Sequence, residues 1–131
     1  QQAIPSLTLP DRRLQFVQHK QALFLNDSYN ASEFSVKAAL EILPSPAVGG
    51  KKIAVLGSMM ELGKFSDDCH ARVGEFALQH VEELYCLGEE CRPIYDIWSQ
   101  AGRAVRLFHQ RQELVNCLRQ ILQPADVVLL K

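Results

Sequence analysis

Short apolar runs alternate along this chain with longer amphipathic stretches, and that alternation fixes most of the expected architecture. Arg13-Leu14-Gln15-Phe16-Val17 alternates polar with apolar side chains, His19-Lys20-Gln21 supplies a polar turn, and Ala22-Leu23-Phe24-Leu25 is apolar throughout. That pattern predicts a β-hairpin. Ser32 or a neighbour is placed to cap a helix over residues 32–43, with Phe34, Ala38, Leu40 and Leu43 at helical spacings and Pro44, Ser45 and Pro46 ending it. After the Gly49-Gly50-Lys51-Lys52 turn, Ile53-Ala54-Val55-Leu56 reads as a buried parallel strand bounded by Gly57.

The same alternation continues to the last residue. Ser66-Asp67-Asp68 opens an acidic helix start, with Val73, Phe76, Ala77 and His80 down one face. Strand 84–88, helix 91–101, strand 105–108, helix 112–122 and strand 127–130 follow. Strands separated by helices of this length require right-handed crossovers. The predicted fold is therefore α/β: a Rossmann-like three-layer domain, with a mostly parallel sheet, an N-terminal β-hairpin and helices on both faces. Residues 1–10, with Pro5 and Pro10 and no clear period, read as a linker or arm from a preceding domain, and 11–131 as one domain.

Composition narrows the partners more than the fold. The chain has 131 residues, 47% hydrophobic, which suits one ordinary core. Its 14 basic and 15 acidic residues give a net charge of -1, so no broad electrostatic footprint for nucleic acid or a membrane surface exists. No apolar run approaches the roughly 20 residues of a membrane helix. Gln1 to Pro10 also lack the blocks of a secretion signal, and a cytoplasmic location is expected. Cys69, Cys86, Cys91 and Cys117 are too dispersed for a metal site and read as reduced, buried thiols.

Ligands of a parallel sheet sit beyond the carboxyl ends of its strands. Here that edge carries Asp27 to Asn30, Gly57 to Gly63, Gly88-Glu89-Glu90 and His109. Gly57 to Phe65 is not a phosphate-binding P-loop, because five residues separate its glycines and a phenylalanine follows Lys64. It reads as a loop whose glycines take positive φ, with Met59, Met60 and Leu62 covering the sheet end. His70 reads as a packing or surface histidine rather than a base, and Glu89-Glu90 as charges at a helix start. Tyr95 and Trp98 read as core or interface groups, while His19, His80 and His109 have no evident partner. Arg13 and Asp27 leave two readings open. They pair with each other, or together they receive the phosphates and ribose hydroxyls of a nucleotide.

Several segments taken together resemble the C-terminal domain of the Mur ligases. An Arg-hydrophobic-Gln strand, an Asp-Asp-Ser-Tyr-Asn-Ala-Asn turn and a Ser-x-Lys-Ala-Ala-Leu helix are matched by Arg13-Leu14-Gln15, by Asn26 to Ser32, and by Ser35 to Leu40. Ala54 to Gly63 is similar to the family's Gly-Asp-Met-x-Glu-Leu-Gly loop, and His70, Val73, Gly74 and Ala77 to the helix after it. Asp126 to Lys131 resembles the strand leading into Lys-Gly-Ser-Arg, so the natural domain is expected to extend past Lys131. Four positions depart from the pattern: Asn26 stands for an aspartate, Ser32-Glu33 for Asn-Pro, and Ser58 for the loop aspartate.

The resemblance implies part of an ATP-dependent ligase that joins D-alanyl-D-alanine to UDP-N-acetylmuramoyl-tripeptide through an acyl phosphate, in peptidoglycan precursor synthesis. It implies ATP and Mg2+ held mainly by a central domain, and a UDP-sugar held by an N-terminal domain, so that this piece alone would be inactive. Arg13 and Asp27 match nucleotide-contacting positions. Tyr29, Asn30, Ala31 and Lys131 match positions near the incoming substrates, and no residue matches a catalytic group. Other readings are a noncatalytic Rossmann-like binding or interaction domain, and a sister ligase of another Mur or folylpolyglutamate type.

Overall fold

A computed structural model describes residues 15–19, 22–26, 32–59 and 63–131, with 15–19 described as backbone. Its elements run β1 (Gln15–His19), β2 (Ala22–Asn26), α1 (Glu33–Ile42), β3 (Lys52–Gly57), α2 (Ser66–Ala77), β4 (Glu83–Leu87), α3 (Arg92–Gln100), β5 (Ala104–Phe108), α4 (Arg111–Ile121) and β6 (Val127–Leu130). One-turn 3-10 segments, Gly63–Phe65 and Glu89–Cys91, lead into α2 and α3. No helix of the described residues is long and apolar enough to cross a membrane.

The six strands form one sheet in the order β1-β2-β6-β3-β4-β5. β1 is antiparallel to β2, and every other neighbouring pair is parallel. The steps from β2 through β3 and β4 to β5 advance across the sheet, whereas β5 to β6 returns. Right-handed crossovers therefore put α1, α2 and α3 on one face and α4 on the other. The buried clusters agree: Val36, Leu40, Val73, Ile94 and Trp98 pack on Leu25, Ala54, Leu56 and Leu129. Leu114 packs on the opposite face, among Phe24, Ile53, Tyr85, Phe108 and Val128.

The expected fold stands, with local corrections. β1 extends to His19, which pairs with Ala22, so His19 belongs to the strand rather than to the turn expected. The helix expected from Cys91 is preceded by a 3-10 turn and begins at Arg92, with Pro93 in its first turn, where a missing N–H costs nothing. All four cysteines are free thiols, but Cys117 is half-buried where a buried thiol was expected.

Two buried polar devices hold loops to this frame. Asp126 is fully buried just before β6, and its carboxylate accepts the backbone N–H of Lys51 at 2.9 Å and of Gln123 at 2.9 Å. It thereby ties the start of β3 to the start of β6. Gly50 is required beside it, since a Cβ there would run into the Ala125 carbonyl.

His70 is the second device and is fully buried in α2. Its Nδ1 donates to the Ser66 carbonyl at 2.7 Å, which leaves Nε2 to accept the Met59 backbone N–H at 3.0 Å. A neutral imidazole with its proton on Nδ1 fits both bonds.

Candidate functional site

Because β2, β6, β3, β4 and β5 are parallel, Asn26, Lys131, Ser58, Gly88 and His109 follow one another along a single rim. The antiparallel register pairs Gln15 with Asn26, so the start of β1 reaches the same rim. Arg13, Asp27, Tyr29, Asn30 and Ala31 lie outside the described residues, as do Met60 and Leu62. Lys131 is the one expected site residue that is described. It lies at the end of β6, 9% exposed, with its backbone N–H donated to the Val55 carbonyl at 2.8 Å. Asn26, at the end of β2, is buried too.

The described start of the loop after β3 is set by packing. Met59 enters the core cluster, while its N–H is taken by His70. Gly63 has a φ of +57°, as expected of the loop's glycines, but Gly57 does not take positive φ and simply ends β3. The Ser66 hydroxyl, expected to help open α2, lies 3.2 Å from His70 Nδ1, and α2 has no side-chain cap.

Ser58 and the Gly88 turn make the polar centre of the described rim. The Ser58 hydroxyl donates to Glu90 Oε1 at 3.0 Å. Gly88 has a φ of +109°, and a Cβ there would collide with the Ser58 hydroxyl, so only glycine lets the two loops close on each other. Glu90 is held ionised below the usual carboxylate range by its own backbone N–H and then by Ser58.

Glu89 carries a second cluster. It accepts from Arg92 Nε at 3.0 Å and meets His109 Nε2 at 2.7 Å. Those contacts, Arg92 foremost, bring its pKa down to about 2. Both glutamates stand in the first turn of the 3-10 segment that leads into α3, as the expectation of charges at a helix start has it, and their side chains find further partners in Ser58 and His109. His109 thus has a partner, and His80 has one too, with Nδ1 3.0 Å from the Phe76 carbonyl oxygen and the ring stacked on Phe76. Beneath the rim, the neighbouring Cys91 and burial push the Cys86 thiol well up, which keeps it protonated and inert.

Two further contacts explain the glycine in the α2 pattern of His70, Val73, Gly74 and Ala77. A Cβ on Gly74 would lie 3.1 Å from Ile94 Cα, and the buried Trp98 Nε1 donates to the Gly74 carbonyl at 2.9 Å. A lone glycine within an amphipathic helix is the sequence signal that could have pointed to this close α2–α3 contact.

The sequence profile of the family described as Mur ligase, glutamate ligase domain, matches residues 12–131. A UDP-N-acetylmuramoyl-tripeptide--D-alanyl-D-alanine ligase of Bacillus subtilis is 26% identical over 98% of this chain, and the Escherichia coli ligase of the same name 31% identical over 81%. This chain spans 29% of the first and 22% of the second. The crystal structure of the MurF ligase from Thermotoga maritima in complex with ADP superposes with a TM-score of 0.73 at 29% identity, over 95% of this chain and 27% of that one. With nearly its whole length matched and the sheet, crossovers and loop positions in place, the chain belongs to the Mur ligase glutamate ligase domain family.

Proposed function

We propose that this domain serves an ATP-dependent ligase that joins D-alanyl-D-alanine to UDP-N-acetylmuramoyl-tripeptide in peptidoglycan precursor synthesis, in the cytoplasm. The observation that carries the reading is the agreement between the family match and relatives bearing that name. The chain's share of those relatives fits a role as one domain among several. The remaining domains supply the UDP-sugar site and the site for ATP and Mg2+. Among the described residues no three of His, Cys, Asp and Glu gather closely enough to hold a metal ion.

The domain closes over the active site as a lid, excluding water while an acyl phosphate forms on the tripeptide carboxylate and the dipeptide amine displaces phosphate. Arg13 grips the nucleotide as a bidentate donor, and Asp27 accepts its ribose hydroxyls. Along the chain Arg13 comes two residues before Gln15 and Asp27 directly after Asn26, and the pairing of Gln15 with Asn26 supports their acting at one place. Tyr29, Asn30, Ala31 and Lys131 line the side met by the incoming substrates. Lys131 adds a cation next to the buried Asn26 side of the rim, suited to a carboxylate.

Ligation by the full-length protein tests the reading. Arg13→Ala and Asp27→Ala are each expected to lower kcat/KM by about tenfold or more, chiefly through the KM for ATP, as loss of a charge-assisted contact would. Wild-type kinetics in both variants would remove the nucleotide assignment, and failure of the wild-type protein to join the two substrates would remove the reaction.

A further inference from the structure

The outer edge of the sheet carries a groove that the ligase reading does not use. β5 has one neighbour among the described strands, β4. The Gly88 N–H bonds the Phe108 carbonyl, so in a parallel pair the backbone groups of Ala104, Arg106 and Phe108 face β4, and those of Val105 and Leu107 face outward. A pocket of about 290 Å³ follows this edge, lined by Val105, Arg106, Leu107 and His109 and by Arg92 and Tyr95 of the first turn of α3. An open strand edge beside a helix is the geometry that accepts an added peptide strand, with main-chain bonds for affinity and alternate side chains for specificity.

Charge and register define the occupant. Val105 and Leu107 are half-buried on the α3 face, so a strand laid beside them presents apolar side chains there. Arg106 points to the other face, over the Phe108 ring at 5.1 Å, and no described carboxylate lies within ion-pair distance of it. The flanking Arg92 and His109 both meet Glu89, so the cation of this edge without a described carboxylate beside it is Arg106, whose guanidinium lies 3.8 Å from Cys117 Sγ. Pairing two copies of β5 in their longest antiparallel register would set Arg106 against Arg106, which like charges oppose. We propose that the β5 edge and the first turn of α3 dock an extended segment of a partner protein whose side chains alternate apolar and acidic, added to the sheet beyond β5.

Hydrogen exchange resolved to single amides, together with anisotropy of a labelled peptide, tests this in the intact protein. The probes are a short blocked peptide alternating valine with glutamate, the same peptide with lysine for glutamate, and inorganic phosphate. The glutamate peptide is expected to bind and to slow exchange at Val105 and Leu107, and the lysine peptide to do neither. Arg106→Glu, at an exposed position and with an unchanged unfolding midpoint, is expected to weaken the glutamate peptide about tenfold and to transfer binding to the lysine peptide. The proposal is overturned if the two peptides behave alike, if phosphate alone gives the same protection, or if both amides are already protected without any probe. The first result would make Arg106 a guard against edge pairing, the second a small-anion site, and the third an edge covered by the protein itself.

Discussion

Replacing His70 should cost the domain a large share of its stability, and the hydrogen bonds say how the cost divides. The ring is fully buried, with Nε2 3.0 Å from the Met59 N–H and Nδ1 2.7 Å from the Ser66 carbonyl. His70→Ala leaves the Met59 N–H buried without its acceptor, worth about 1–3 kcal/mol, and opens a void the size of an imidazole, worth about another 1–2 kcal/mol. A total of about 3 kcal/mol is expected, read as a shift in denaturant midpoint at constant m-value. The amide-sized variants separate the two bonds. Gln reaches the Nε2 position and can accept from Met59, whereas Asn reaches only the Nδ1 position and can donate to Ser66. Stability is therefore expected to fall in the order His, Gln, Asn, Ala, with Met59 amide exchange accelerated in Asn and Ala but not in Gln. An Ala variant within about 0.5 kcal/mol of wild type, or Asn more stable than Gln, would refute the account of His70 as the latch of the loop after β3.

Two other perturbations follow from buried or paired carboxylates. Glu33 bonds Arg72 Nε at 2.8 Å and Lys37 at 2.9 Å, and Arg72 above all lowers its pKa from 4.5 to about 2. A carboxyl depressed by folding stabilises fully above its unfolded pKa and loses that contribution as pH falls through the folded one. Glu33→Gln should therefore flatten the stability-versus-pH curve between pH 4.5 and 2 and leave its slope above that window unchanged, as measured by denaturant unfolding. Asp126→Ala strands the Lys51 and Gln123 N–H groups and should destabilise by about 2–4 kcal/mol, read from the same unfolding curves. Asp126→Asn should recover only part of that, because its amide nitrogen would face one of the two donors.

The strands and helices are legible in the sequence because their signals are local: apolar runs of strand length, helical spacings, and Pro or Gly at the ends. The same holds for the order of elements, since crossover handedness leaves few arrangements. What the sequence hides are contacts between loops distant along the chain. Asp126 reads as the first residue of a strand, but its value lies in Lys51, which a turn brings to it from 75 positions away. Glu89 reads as a helix-start charge, but it also meets His109, which follows the next strand. Spacing alone excludes a P-loop, yet the role of Met59 depends on His70, whose Nε2 direction no periodicity reveals.

The departures from the family pattern show the same principle from the other side, because Ser32, Glu33 and Ser58 each have a local partner that accounts for them. Ser32 accepts the Ser35 N–H at 3.1 Å, and Ser35 Oγ accepts the Ser32 N–H at 2.9 Å, so the pair forms a reciprocal cap on α1. Glu33, where proline is usual, gives up a residue pre-shaped for the first helical turn and gains the Arg72 contact that ties α1 to α2. Ser58, where aspartate is usual, donates to Glu90 across the Gly88 turn. A carboxylate at 58 would set two anions about 3 Å apart there, and one of them would have to move or take up a proton. The rim thus carries an anion at Glu90 beside a donor at Ser58. Ser58→Asp should therefore break the Ser58–Glu90 contact rather than restore the family's arrangement, and a joint change of Glu90 to glutamine should relieve the repulsion.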